Sequence, residues 1–162
     1  MRSMRRAGTQ RSSAQSQDAF HEAIIPQRPP IVDARGEIRN LIDAPLTSAA
    51  VITSVRGAVR GNHYHKTDYH YCWLQRGGMI YLHRPVGDRR PPHEWVIAPG
   101  QLLYTPPMYE HTMCFTADSV LFVFARNNRE MEHYEADTVR ITPLEPPSSR
   151  AEGVRSGRGA ES

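Results

Sequence analysis

Apolar and polar residues along this chain exchange places at every second position over short runs, and almost nowhere at the helical spacing of three or four. "AAVITSV" (49–55) is β-branched, and "HYCWLQRGGMIYLHRP" (70–85) alternates on either side of Gly77-Gly78. "HTMCFTADSVLFVFARN" (111–127) does the same about Ala117-Asp118. Each of these two segments predicts a hairpin, and "EWVIAPGQLLYTPP" (94–107) predicts a strand pair broken at Pro99-Gly100. "PPIVDARGEIRNLI" (29–42) predicts two strands about an Arg-Gly turn, and "ADTVRITPL" (136–144) closes the series. No stretch of 10 to 12 residues carries a helical period, although "QDAFHEAI" (17–24) has room for two turns. Thirteen prolines and eleven glycines fall mostly between the strands. Many short, evenly spaced strands with such turns imply an all-β, antiparallel barrel or double-sheet jelly roll without internal repeats.

Composition places the ends apart from this body. The 162 residues suit one domain, yet only 39% are hydrophobic and the mean hydropathy is −0.58. The shortfall lies in residues 1–19 and 145–162, which have almost nothing to pack and are expected to be disordered tails. The expected organisation is a tail over 1–28, a β-barrel domain over 29–144 and a second tail over 145–162. Charge is unevenly spread too. Residues 31–143 hold 12 basic and 12 acidic side chains, so the net +3 resides in the N-terminal arm. A basic arm without a basic folded face argues against nucleic acid as a partner. No apolar run is long enough for a membrane span, and no apolar segment follows the first arginines as in a secretory signal. Cys72 and Cys114 make no disulfide framework, so free, largely buried thiols and a reducing cytoplasmic location are expected.

The chemistry concentrates in "GNHYHKTDYHY" (61–71). On a strand His63 and His65 face the same way, and after the connection "KTDY" His70 opens the next strand beside them. His111 begins a later strand whose Met113 and Phe115 would line a barrel interior. Four imidazoles meeting there suit one divalent ion such as Fe, Mn, Ni or Zn, because neutral ring nitrogens are good ligands for these metals.

Two half-motifs carry a family resemblance. Gly57, five residues, His63-x-His65, four residues, His70, six residues and Gly77 resembles the first cupin motif. Gly100, five residues, Pro106-x-Met108, two residues and His111 resembles the second. The match spans roughly 45–125 and implies the cupin double-stranded β-helix. Three positions depart from it. His70 replaces a glutamate ligand, Met108 a turn glycine and Phe115 a final asparagine. Four neutral imidazoles would leave a bound divalent ion its full charge.

The segment "VRGNHYHKT" is further similar to small cupins of sugar-nucleotide and polysaccharide biosynthesis. Those include nucleotide-sugar 3,4-ketoisomerases and the cupin domain of capsular-polysaccharide reductases. The likeness to 4-keto-sugar 3,5-epimerases is weaker, since their catalytic His-Asp and Tyr set cannot be assigned on the sequence. The resemblance implies a metal-dependent epimerase or isomerase acting as a Lewis acid on a keto group of a nucleotide sugar. A cupin dioxygenase with a three- or four-histidine site is the alternative, and a ligand-binding cupin without catalysis the second. Tyr104, Glu110 and His83 are the candidate proton-transfer groups, with an exposed edge for Glu110 and a surface position for His83 as the plainer expectations. Arg60 and Lys66 are the candidate phosphate or carboxylate binders. Tyr69 and Tyr71 should face outward, towards the interface of an expected homodimer, and Trp73 and Phe124 are expected in core or interface. His133 and Glu135 lie too far from either motif to be assigned.

Overall fold

The computed structural model describes residues 23–147, so residues 1–22 and 148–162, most of the expected tails over 1–28 and 145–162, lie outside the described residues. Twelve strands and one short helix follow in chain order. They are β1 (Ile24–Ile25), β2 (Ile31–Asp33), β3 (Gly36–Ile38), β4 (Ser48–Ser54), β5 (Val59–His65), β6 (His70–Arg76) and β7 (Met79–Pro85). Then come β8 (His93–Ile97), β9 (Leu102–Thr105), β10 (Tyr109–Phe115), β11 (Ser119–Ala125), α1 (Met131–Asp137) and β12 (Thr138–Arg140). Two five-stranded sheets carry the fold, in the orders β1-β9-β6-β11-β4 and β12-β5-β10-β7-β8. Every pairing is antiparallel. This is the all-β jelly roll that the alternation predicts.

The turns behave differently from the sequence expectation. β6 and β7 flank Gly77-Gly78 but belong to opposite sheets, as do β8 and β9 about Pro99-Gly100 and β10 and β11 about Ala117-Asp118. The links are crossovers between layers rather than hairpins. Alternation reports which face of a strand is buried, and both strands of a crossover bury one face in the same way. Gly77 shows what such a crossover demands. Its φ is +98°, and a Cβ there would run into Ser119 and the Asp118 carbonyl. Only β2 and β3 form the expected hairpin, pairing Ile31 with Ile38.

The N-terminal boundary also moves. β1 pairs with β9, and Ala23 is buried in the core. Residues 23–28, assigned to a tail by composition, therefore begin the barrel. A two-residue strand is too short to leave a periodic signal.

Between the sheets lie Leu74, Met79, Tyr81, Leu103, Phe115, Leu121 and Val123, all buried. Burying each large apolar side chain contributes about 1.5–3 kcal/mol. β11 shows the logic most clearly, with Leu121, Val123 and Ala125 buried and Phe122 and Phe124 half-exposed on the outer face. Tyr81 on β7 shares a 2.7 Å hydrogen bond with Thr105 Oγ1 on β9, which ties one sheet to the other through the core. Cys72 is buried, Cys114 half-buried, and both are free. Among the described residues no helix is long and apolar enough to cross a membrane.

Candidate active site

One row of residues crosses the second sheet in register: Arg140 on β12, His63 on β5, His111 on β10, His83 on β7 and His93 on β8. His65 follows His63 on the same face, and His70 comes from β6 in the opposite sheet. The four motif histidines thus meet between the layers, all of them buried. Ring centroids are 4.8 Å apart for His63 and His65 and 4.6 Å for His63 and His111. The other neighbours are close as well, at 5.5 Å for His65 and His70 and 5.1 Å for His70 and His111. The expectation that the two half-motifs bring these rings together holds.

β5 reaches this geometry through an irregular middle. Gly61 and Asn62 both have positive φ, 79° and 58°. A Cβ on Gly61 would stand 3.0 Å from the His111 carbonyl oxygen, so β10 can approach only because no side chain is there. The turn before β10 is tied in as well, since the Met108 amide donates to the His65 carbonyl at 2.7 Å. Met108 has φ +59°, the conformation for which the motif's glycine is suited.

Three of the four rings are oriented by what their Nδ1 meets. His63 Nδ1 donates to the Gly61 carbonyl at 2.9 Å and His111 Nδ1 to the Tyr109 carbonyl at 3.3 Å. Nδ1 of His65 lies 3.3 Å from the Asp137 carboxylate. Carbonyl and carboxylate oxygens only accept, so these three rings carry the proton on Nδ1 and a bare lone pair on Nε2. Nε2 of His65, Nε2 of His111 and Nδ1 of His70 are buried without any hydrogen-bond partner.

Burial lowers the pKa of all four rings. For His65 it does so to about 4, with His63 and Arg129 adding to burial and Asp137 opposing. His70 and His111 are held well below the ordinary value, again by burial first and then by the neighbouring imidazoles. His63 is lowered by burial against the Gly61 hydrogen bond. At neutral pH the cluster is therefore a set of uncharged bases.

The donor chemistry suits a divalent ion: neutral imidazoles, buried nitrogens without partners on His65, His70 and His111, and Nδ1 anchored behind the rings of His63, His65 and His111. Among the described residues, however, no group of three or more His, Cys, Asp or Glu side chains is arranged to hold an ion as it stands. Binding one would require the rings to turn.

α1 closes the pocket from the side, and the sequence reading gave it no role. Its Met, Glu and Ala residues are good helix formers, and β-branched Thr138 ends it by turning extended. With seven residues it is too short to show a period. Tyr134 lays its ring 5.6 Å from His65 and 6.3 Å from His63. Asp137 accepts from the Thr67 amide, the Thr67 hydroxyl and the Asp68 amide besides facing His65. Burial would raise its pKa, but these hydrogen bonds together lower it. Arg129, just before the helix, stacks over the Tyr134 ring at 5.3 Å. Tyr134 and Arg129, together with Arg60, Arg140 and the four histidines, line a pocket of about 330 Å³, and Asp137 stands outside it, behind His65.

Of the other candidates, Arg60 alone stands on this pocket, donating to Ser54 Oγ at 2.8 Å and to the Thr53 carbonyl. Lys66 lines a separate open groove behind α1 and donates to the Ala136 carbonyl at 2.8 Å. There it caps the C-terminal end of the helix, where a cation is favoured. Tyr104 packs with Tyr71 and Tyr69, at 5.0 and 5.9 Å, on the outer face of the first sheet. Glu110 forms a 2.8 Å ion pair with its cross-strand neighbour Arg84. Neither reaches the pocket, because their strand parity points them outward. His83 is buried rather than at the surface, and its Nε2 accepts from Trp95 Nε1 at 3.0 Å. It stands behind His111 rather than on the pocket wall. His133 lines the groove behind α1, and Glu135 pairs with Arg140.

No protein-family model matches the sequence, and no curated protein matches it. Solved structures do. A double mutant of the 3,4-ketoisomerase QdtA of Thermoanaerobacterium thermosaccharolyticum, in complex with TDP, is 28% identical, with a TM-score of 0.56. The alignment covers 73% of this chain and 86% of that one. CapF, a capsular polysaccharide assembling protein of Staphylococcus aureus, is 22% identical at a TM-score of 0.54, and the chain spans 34% of its length. A dTDP-4-dehydrorhamnose 3,5-epimerase of Sulfolobus tokodaii is 16% identical at 0.58, covering 72% of this chain and 74% of that one. Two facing antiparallel sheets with a histidine cluster between them define a cupin barrel. Within that class, the chain has the RmlC-like fold.

Proposed function

We propose that the chain isomerises a nucleotide-linked keto sugar by moving a proton between the carbonyl carbon and its neighbour. The carrying observation is the His65–Asp137 pair: Nδ1 faces the carboxylate, and the buried Nε2 has no partner. A base so held is neutral at physiological pH and has its lone pair available. When it takes a proton, Asp137 stabilises the imidazolium across the other nitrogen. The QdtA ketoisomerase, solved also with TDP-4-keto-6-deoxyglucose, supports the substrate class. Ketoisomerisation is favoured over epimerisation because one base on one face suffices for it. The ketoisomerase also shares 28% of its sequence with this chain, the epimerase 16%.

On this reading His65 and Asp137 would serve as the His-Asp pair that could not be assigned on the sequence. Arg60 and Arg140 provide positive charge on the pocket for the diphosphate. A divalent ion held by His63, His65, His70 and His111 would occupy the His65 lone pair, so it would stand in place of the free base rather than beside it and would supply Lewis-acid stabilisation of the enolate. The apolar outer face with Trp73, Phe122, Phe124 and Val51 would serve the expected homodimer. The test is incubation with TDP-4-keto-6-deoxyglucose followed by NMR of the products, with His65→Asn in parallel. Formation of the 3-keto isomer by the parent and not by His65→Asn is expected. An unchanged substrate, or full activity of the variant, contradicts the assignment.

A further inference from the structure

Three arginines reach the histidine pocket, and they are not equivalent. Arg60 donates to Ser54 and Thr53, and Arg140 pairs with Glu135 at 2.7 Å. Among the described residues Arg129 has no acceptor: its Nε is buried without a hydrogen-bond partner, and its guanidinium lies over the Tyr134 ring. The nearby carboxylate that feels its charge, Asp68, is engaged by the Asn127 amide and forms no ion pair with it. A guanidinium left partly buried without an acceptor costs folding free energy, because its desolvation is not compensated. The same Tyr134 ring that carries Arg129 stands against His65 and His63, so the charge sits at the reacting end of the pocket.

We propose that Arg129 is the oxyanion-binding group of this site, a catalytic residue that hydrogen-bonds the enolate oxygen of an α-hydroxyketone substrate. For the identity of that substrate the assignment rests on the keto-sugar reading; for the anion it does not. As the C–H bond beside the ketone breaks, the proton goes to His65 Nε2 and the electron pair moves into the carbonyl, which becomes an enolate oxygen. Arg129 donates N–H groups to that oxygen. Return of the proton to the former carbonyl carbon, with the hydroxyl proton passing to the enolate oxygen, leaves the ketone one carbon along. Atoms and electrons balance without a co-reactant. The open donor of Arg129 is thus filled when charge develops and not before.

Tropolonate, a planar α-hydroxyketone anion, is the probe, titrated by its absorbance against the parent, Arg129→Met and Arg129→Lys, with metal content measured in each sample. The parent should bind it, Arg129→Met at least tenfold more weakly, and Arg129→Lys in between. TDP affinity should stay within about twofold, and exchange of the substrate α-proton should fall by roughly 10²–10³ in Arg129→Met. Equal tropolonate affinity in parent and Arg129→Met, or no binding by the parent, overturns the proposal. So does affinity that tracks metal content instead of residue 129. An equal loss of TDP affinity would make Arg129 a diphosphate anchor instead. Should Arg129→Met not fold, Arg129→Lys and Arg129→Gln carry the same comparison. Arg129-dependent tropolonate binding in a protein inert towards keto-sugar nucleotides would sink the keto-sugar reading and leave the oxyanion site standing.

Discussion

Asp137 occupies the last turn of α1, where the free helix carbonyls disfavour a carboxylate, yet four donors hold it there. That arrangement makes sense if its charge is needed at His65. Asp137→Asn keeps the shape but removes the charge that stabilises the imidazolium and fixes the tautomer. Turnover should fall about 10- to 100-fold with little change in KM, measured by steady-state kinetics. A rise in KM with turnover unchanged would point to a structural role. Gly61 is the second critical residue. Its positive φ strains any other residue, and a methyl group 3.0 Å from the His111 carbonyl would force β10 to give way. Gly61→Ala should lose about 1–2 kcal/mol of stability in a denaturant titration. It should also lose activity, because the Gly61 carbonyl anchors His63.

At the scale of elements, the Met108 turn offers a substitution in the opposite direction. A methionine at φ +59° is strained by roughly 1–2 kcal/mol, of which the greater chain freedom of glycine cancels about half. Met108→Gly should therefore raise stability by about 0.5–1 kcal/mol in urea, without shifting the Met108 amide bond to His65. The same elements show what was legible in the chain. Strand identity and the inward set of β6 and β11 follow from alternation. So does the meeting of His63, His65, His70 and His111, because motif spacing encodes strand parity. Which strand pairs with which did not, since a crossover at Gly77-Gly78 and a hairpin there bury the same residues. α1 was invisible because seven residues do not make a period, and with it went Asp137, Tyr134 and Arg129. The available signal was local: acids, a tyrosine and arginines gathered in "NNREMEHYEADTVRI", a segment too polar for a core strand. Tyr104 and Glu110 drew attention by their nearness to the second motif, but nearness in sequence does not set the face of a strand.

For the molecule as a whole, four imidazoles buried as neutral bases couple folding to pH. The unfolded chain takes up protons on these rings near 6.5, whereas folded His65 resists until about 4. Between those values the unfolded state binds more protons, so stability rises with pH across the interval and drops as pH falls from about 6.5 towards 4. The Tm should decline over that range, and less steeply in His70→Gln, which removes one of the rings. A flat Tm from pH 7 to 5 would mean that the cluster is protonated or solvated in the fold. The central claim, that this barrel moves a proton beside a sugar ketone, meets its most direct test in heavy water. TDP-4-keto-6-deoxyglucose incubated with the parent protein in D2O, with dissolved oxygen recorded, should gain deuterium next to the ketone and consume no oxygen. Oxygen uptake without deuterium incorporation would make the protein an oxygenase, and neither signal together with no 3-keto product would make it a binding cupin; either result contradicts the account.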